Sequence, residues 1–158
     1  NSFSKYFGMT GWRIGWLVAP EALVPQIEKL AQNLYISVTT VSQYAALAAF
    51  SEEAVAIHEE RRAAFAARRD YLVGALRGLG FTVPHVPAGA FYVYADVSAF
   101  TSDSRQWCLD LLEQEGVAVT PGEDFGVYRC DEHVRFAYTD DLPRLQEAVA
   151  RIQRFIAA

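Results

Sequence analysis

The chain opens Asn1-Ser2-Phe3-Ser4-Lys5 and carries only one other lysine, Lys29. Small hydroxyl residues precede Lys5 at Ser2 and Ser4. Glycines follow at Gly8, Gly11 and Gly15, and an arginine, Arg13, stands between the last two. A lysine amine attacks a carbonyl carbon only when neutral, and burial or a neighbouring cation lowers its pKa toward that state. Hydroxyls and a guanidinium can hold a phosphate, the guanidinium through a bidentate fork. Glycines let backbone come close to a bound group. These residue types fit a buried Schiff-base lysine beside the phosphate of a cofactor. They also fit a plainer alternative, a buried strand and turn from which Lys5 merely reaches solvent.

The elements that would position these groups can be read from composition and pattern. The 158 residues suffice for one domain with a real core, and 52% hydrophobic content excludes a disordered chain. A net charge of −5 without a long basic run argues against a nucleic-acid surface. No apolar stretch approaches the ~20 residues of a membrane span, and no signal-peptide pattern opens the chain. Cys108 and Cys130 lack metal-site spacing and cannot build a disulfide framework, so a reduced, cytoplasmic protein is expected.

In chain order, Ser2–Tyr6 and Arg13–Ala19 read as short strands around a Gly-rich turn. Pro20-Glu21 opens a helix that the spacing of Ile27, Leu30, Ala31 and Leu34 carries to about Leu34, with Lys29 a solvated position on it. The segment 33–43 should be irregular, and Ser42 should cap a helix over 42–50. A long helix is expected over 51–79, ended by Gly78 and Gly80. Val55, Phe65, Leu72 and Leu76 would line its buried stripe. His58 would be a polar position, and Arg61, Arg62, Arg68 and Arg69 would face outward in ion pairs. Beyond it come strands at 81–86, 90–97, 117–120 and 133–138, and helices at 104–115 and 142–156. Trp107, Leu111 and Leu112 should point inward from the first of these helices. Helices covering one face of a small sheet make this an α/β pattern. Arg135 stands in an apolar strand, where its charge is costly unless paired. A planar carboxylate would satisfy its fork. A structural ion pair is the other way to satisfy it.

Ser2–Trp16, read as S-F-S-K-x-F-x-M-T-G-W-R-I-G-W, resembles the cofactor-lysine segment of class I/II, fold-type I aminotransferases, which work with pyridoxal 5'-phosphate. By position, Lys5 matches the lysine that carries the cofactor, and Ser2 and Arg13 match the phosphate ligands. Ser4 takes a weaker part in cofactor binding. P-A-G-A-F-Y at Pro87–Tyr92 resembles a family strand whose aromatic lies near substrate. This makes Phe91 a contact candidate, though an ordinary core phenylalanine is as natural a reading. V-A-V-T-P-G-E-D-F-G at Val117–Gly126 resembles a family turn of mostly structural role. H-V-R-F-A-Y at His133–Tyr138 resembles the strand whose arginine pairs with the substrate α-carboxylate, the role that falls to Arg135.

The resemblance implies the C-terminal part of a longer enzyme. Residues 1–50 would be a remnant of the large PLP-binding domain, and 51–158 the small α/β domain. It implies transfer of an amino group between an amino acid and a 2-oxo acid, with Lys5 also moving the substrate's α-proton. It implies a homodimer as well, in which Tyr35, Thr39, Thr40 or Ser42 reaches the other subunit's cofactor phosphate. The family's acid partner for the pyridine nitrogen lies upstream of the lysine. None of Asp70, Asp96, Asp103 or Asp141 sits in a matching motif, so these residues alone should neither hold the cofactor tightly nor catalyse. A β-lyase of the same fold, or an aminotransferase-like effector domain of a transcription regulator, would share these motifs.

Overall fold

A computed structural model describes residues 1–157. The chain forms two compact units, Asn1–Arg62 and Ala63–Ala158.

In the first unit a short 3-10 turn, Glu21–Leu23, leads into α1 (Val24–Leu34), with Pro25 in its first turn, where a missing N–H costs nothing. The helical spacing of its apolar residues is as expected, yet none of α1 is buried. The next helix, α2 (Thr40–Ala48), begins two residues before its expected start. Thr39, not Ser42, is its cap residue. Ser42 instead lies inside the helix, buried, and its hydroxyl donates to the Trp12 carbonyl at 2.8 Å. Phe3, Met9, Ala46 and Ala49 form a small core, with Phe7, Ile14 and Ala45 packed against it. The two strands expected in the opening segment reduce to a single bridge, Ser2 to Gly15, because the chain between them turns through a 3-10 helix at Thr10–Trp12.

The long helix α3 (Glu52–Gly78) has residues in both units. Leu72 and Leu76 are buried and Phe65 half-buried as expected, but Val55 is exposed. His58 is not a solvated position. It is 6% exposed, its Nε2 lies 3.3 Å from the Ala49 carbonyl, and its ring meets those of Tyr6 and Phe7 at 5.3 and 5.4 Å. Arg61 and Arg62 face outward. Arg68 and Arg69 are half-buried: Arg68 donates to the Thr139 carbonyl, and Arg69 pairs with Asp70 and donates to the Pro87 carbonyl. Gly80, at φ +97°, supplies the left-handed turn after the helix.

The second unit is built on a three-stranded antiparallel sheet of β1 (Tyr92–Asp96), β2 (Thr120–Pro121) and β3 (His133–Ala137), ordered β1-β3-β2. Val93, Ala95 and Val97 alternate with Tyr92, Tyr94 and Asp96, and Val134 and Phe136 alternate with His133, Arg135 and Ala137. This period of two gives the sheet one apolar face. That face packs with residues of α3, α4 (Ser104–Glu115) and α5 (Leu142–Ala157) around Leu76, Trp107, Leu111, Leu145 and Ile152. Leu112, expected inward, is exposed. Asp103 caps α4 by accepting the Gln106 N–H at 2.9 Å, and Gly116, at φ +66°, ends it.

Two expected strands are shorter. The 81–86 segment makes only the bridge Thr82–Asp96, since Pro84 cannot donate to a ladder. The 117–120 segment pairs only from Thr120. The opposite face of the sheet, with Tyr92, Tyr94, His133 and Arg135, stays partly open.

At the end of β1, Asp96 accepts the Ser98 N–H at 2.8 Å and pairs with Arg129 at 2.9 Å. Burial alone would raise its pKa. The bonds from Ser98, with the charges of Arg129 and His133, outweigh burial and hold it below the usual carboxylate value. A depressed folded-state pKa means stabilisation present above the unfolded value of about 4 and lost as pH falls through the lower folded one. Asp96→Asn should therefore cost about 1 kcal/mol at pH 7. That difference should shrink toward zero below about pH 4 in urea unfolding titrations.

Candidate active site

The opening loop is closed by backbone. The Phe3 N–H donates to the Ile14 carbonyl at 3.1 Å and the Trp16 N–H to the Asn1 carbonyl at 2.9 Å. A Cβ added at Gly15 would lie 2.6 Å from the Asn1 oxygen, so only glycine permits this approach. Inside the loop the chain reverses at Lys5–Gly8, where the Gly8 N–H donates to the Lys5 carbonyl at 2.9 Å with Gly8 left-handed at φ +66°. The Thr10 hydroxyl donates to the Ser4 carbonyl at 2.7 Å, and the Met9 N–H to the Phe3 carbonyl at 3.0 Å. Rings anchor the loop from within: Phe3 meets Phe7 at 4.6 Å and Trp16 at 5.0 Å, and Phe7 meets Phe50 at 5.2 Å.

This closure brings Ser2, Ser4, Lys5 and Arg13 onto one loop. The Ser2 hydroxyl accepts the Ser4 N–H at 3.0 Å. Arg13 has a left-handed backbone, φ +49°, a strained conformation for a residue with a Cβ. Its Nη1 donates to the Thr10 carbonyl at 3.0 Å, and it makes no ion pair among the described residues. Lys5 is exposed, not buried as the amine chemistry suggested. The described residues do not supply the enclosure that such an amine needs. Lys29 is exposed on α1, also as expected for a solvated lysine.

A second cluster lies on the open face of the sheet. The register sets Arg135 beside Tyr94 of β1 and Thr120 of β2. Arg135 Nη2 donates to the Thr120 hydroxyl at 3.1 Å. Its guanidinium carbon stands 5.4 Å from the Tyr92 ring centre and 4.8 Å from that of Phe125. Its Nε is buried without a hydrogen-bond partner, and no carboxylate pairs with it among the described residues. The intramolecular ion pair that could have explained this arginine is absent among those residues. An orphaned donor on a cation costs about 1–3 kcal/mol or more, and an anion arriving at the guanidinium would offset it.

Phe91 is half-buried, packs against the core, and meets the Tyr92 ring at 5.6 Å. It follows Ala90, which is left-handed at φ +65°. Tyr138 holds this turn: its hydroxyl lies 3.3 Å from both the Gly89 and Ala90 carbonyls, and its N–H donates to the Phe91 carbonyl at 2.8 Å. Among the hydroxyl candidates, Tyr35 ends α1 and is exposed, Thr39 and Thr40 begin α2 exposed, and Ser42 is committed to Trp12.

Sequence reasoning missed Thr120, Tyr92 and Phe125 as neighbours of Arg135. The pairing register that joins them has no local signal. It missed buried His58 because a histidine on a charged helix gives no sign of what lies across from it.

Comparison with known proteins follows the same lines. The model of the family "Aminotransferase class I and II" matches residues 1–152. A valine–pyruvate aminotransferase of Mycobacterium tuberculosis is 44% identical over 96% of this chain and 39% of its own length. A (5-formylfuran-3-yl)methyl phosphate transaminase of Methanocaldococcus jannaschii is 36% identical over 99% of this chain and 41% of its own. The crystal structure of a Mycobacterium tuberculosis aminotransferase superposes with a TM-score of 0.94 at 43% identity, covering 99% of this chain and 41% of that one. That of a Thermotoga maritima aspartate aminotransferase gives 0.86 at 32% identity, over 99% and 39%. The chain thus spans about two fifths of the length of the relatives it matches, and its α/β architecture is that of the corresponding part of fold-type I aminotransferases. Matched along nearly its whole length in both sequence and structure, the chain belongs to the class I and II aminotransferases.

Proposed function

We propose that the protein acts, within a longer chain, as a pyridoxal-phosphate-dependent aminotransferase moving an amino group between an amino acid and a 2-oxo acid. The observation that carries this reading is the backbone closure from Ser2 to Gly15, which gathers an amine, a hydroxyl and a guanidinium with no ion pair among the described residues on one loop. That donor set fits the cofactor: an amine for its aldehyde, and a hydroxyl and a guanidinium for its phosphate. When bound, the cofactor supplies an electron sink for charge developing at the substrate's α-carbon.

The chain's own residues divide the remaining work. Lys5 Nζ would hold the cofactor covalently and, once displaced by the substrate's amine, would be free to take the proton from the substrate's α-carbon as general base. Ser2 Oγ and the Arg13 guanidinium hold the phosphate, with Ser4 in a lesser part. The Arg135 guanidinium takes the substrate α-carboxylate, and Phe91 lines the substrate's path. A cytoplasmic setting fits two free cysteines, and a homodimer rests on the family resemblance alone. In it Tyr35, Thr39 or Thr40 reaches the other subunit's phosphate, while Ser42 is occupied by Trp12. The relatives described above are aminotransferases, which favours transfer over β-elimination or an effector role.

Lys5→Ala in the full-length enzyme should abolish transamination, a loss of at least about 100-fold. Retained turnover refutes the assignment. Arg13→Ala should weaken pyridoxal-phosphate affinity by roughly 10- to 100-fold in a fluorescence titration. Mixed with the cofactor, the 158-residue chain alone should give no new absorbance band and no turnover.

A further inference from the structure

The open face of the sheet holds a second feature besides Arg135 itself. The turn after β2 packs so closely that a Cβ at Gly122 would collide with the Cys130 carbonyl and approach the Tyr94 hydroxyl at 2.8 Å. A 3-10 turn at Gly122–Asp124 follows, closed by the Phe125 N–H on the Gly122 carbonyl at 2.9 Å. This fixes where Phe125 leaves the turn. Its ring then stands over the Arg135 guanidinium and edge-on to Tyr94 at 5.9 Å and 85°. The family resemblance marks this turn as structural, but its aromatic is half exposed, at 49%, and contributes little to the core. Tyr92, 38% exposed, provides the second ring and Thr120 the only hydrogen bond to the guanidinium among the described residues.

A guanidinium on a long side chain has many rotamers, and a carboxylate bound through two parallel N–H bonds requires its plane to be set. Ring faces attract the cation and limit its tilt, while the Thr120 hydroxyl fixes one end of the fork. We propose that Phe125 and Tyr92, together with Thr120, are positioning residues that hold the Arg135 guanidinium for the substrate carboxylate. They thereby set carboxylate affinity and leave turnover nearly unchanged. This rests on Arg135 being the carboxylate receptor.

The test uses the full-length, cofactor-loaded enzyme. It measures KM and kcat for L-valine with pyruvate, the pair in the name of the relative from Mycobacterium tuberculosis, and the inhibition constant of 3-methylbutanoate, a carboxylate of the same skeleton that cannot react. Phe125→Leu keeps bulk but removes the ring face; it should raise KM and the inhibition constant roughly 3- to 10-fold, with kcat within about two-fold. Thr120→Val should act in the same direction, and Thr120→Ser, which restores the hydroxyl, should recover the original values. Arg135→Lys separates the two layers of the argument. If it leaves the inhibition constant unchanged, the receptor reading fails. If it raises that constant while Phe125→Leu and Thr120→Val do not, the receptor stands and the positioning proposal is overturned. A fall in kcat with unchanged carboxylate binding in Phe125→Leu also overturns it.

Discussion

The approach of Gly15 to the Asn1 carbonyl is the constraint from which the opening loop of this protein follows. Two strands of backbone can lie that close only where no side chain intervenes. Once they do, the hydrogen bonds from Phe3 to Ile14 and from Trp16 to Asn1 fix both ends of a loop, and everything between must turn back on itself. The left-handed residues Gly8 and Arg13 are where it does so. The aromatic cluster of Phe3, Phe7, Trp16 and Phe50 packs the loop against the chain that follows α2. Rigidity of this kind is what a site needs if a small set of polar groups is to meet a phosphate without reorganising.

A different device shapes the surroundings of Arg135. A sheet with only one face committed to the core has a second face to spend on function. Strict alternation sends Val134 and Phe136 into the core and leaves Arg135 on the other side, where its neighbours come from β1, β2 and the turn that follows. The arginine does not stand in the apolar interior of a strand, as its sequence neighbours suggest. It is half-buried among aromatic rings and a hydroxyl, which lowers the cost of its charge without cancelling it.

How much of this the sequence reveals depends on how local the cause is. The long helix and the closing helix are legible because periodicity and good helix formers act within a few residues. Lys5, Ser2 and Arg13 are legible as a group because one short stretch contains them all. The shortening of the 117–120 strand, the burial of His58 and the use of Ser42 to hold Trp12 are not legible. Each depends on a partner brought from elsewhere in the chain, 30 residues away in the case of Ser42. The same holds for Thr120 beneath Arg135, joined to it by register across 15 residues of sequence. The exposure of Lys5 teaches a related lesson, since amine chemistry states what environment is required but not which residues provide it.

The most direct test is to trap the bond on which the whole account rests. The full-length protein is loaded with pyridoxal phosphate, reduced with borohydride, digested and mapped by mass spectrometry. The pyridoxyl mass should appear on the peptide containing Lys5. Its appearance on Lys29 or any other lysine, with Lys5 unmodified, would contradict the account.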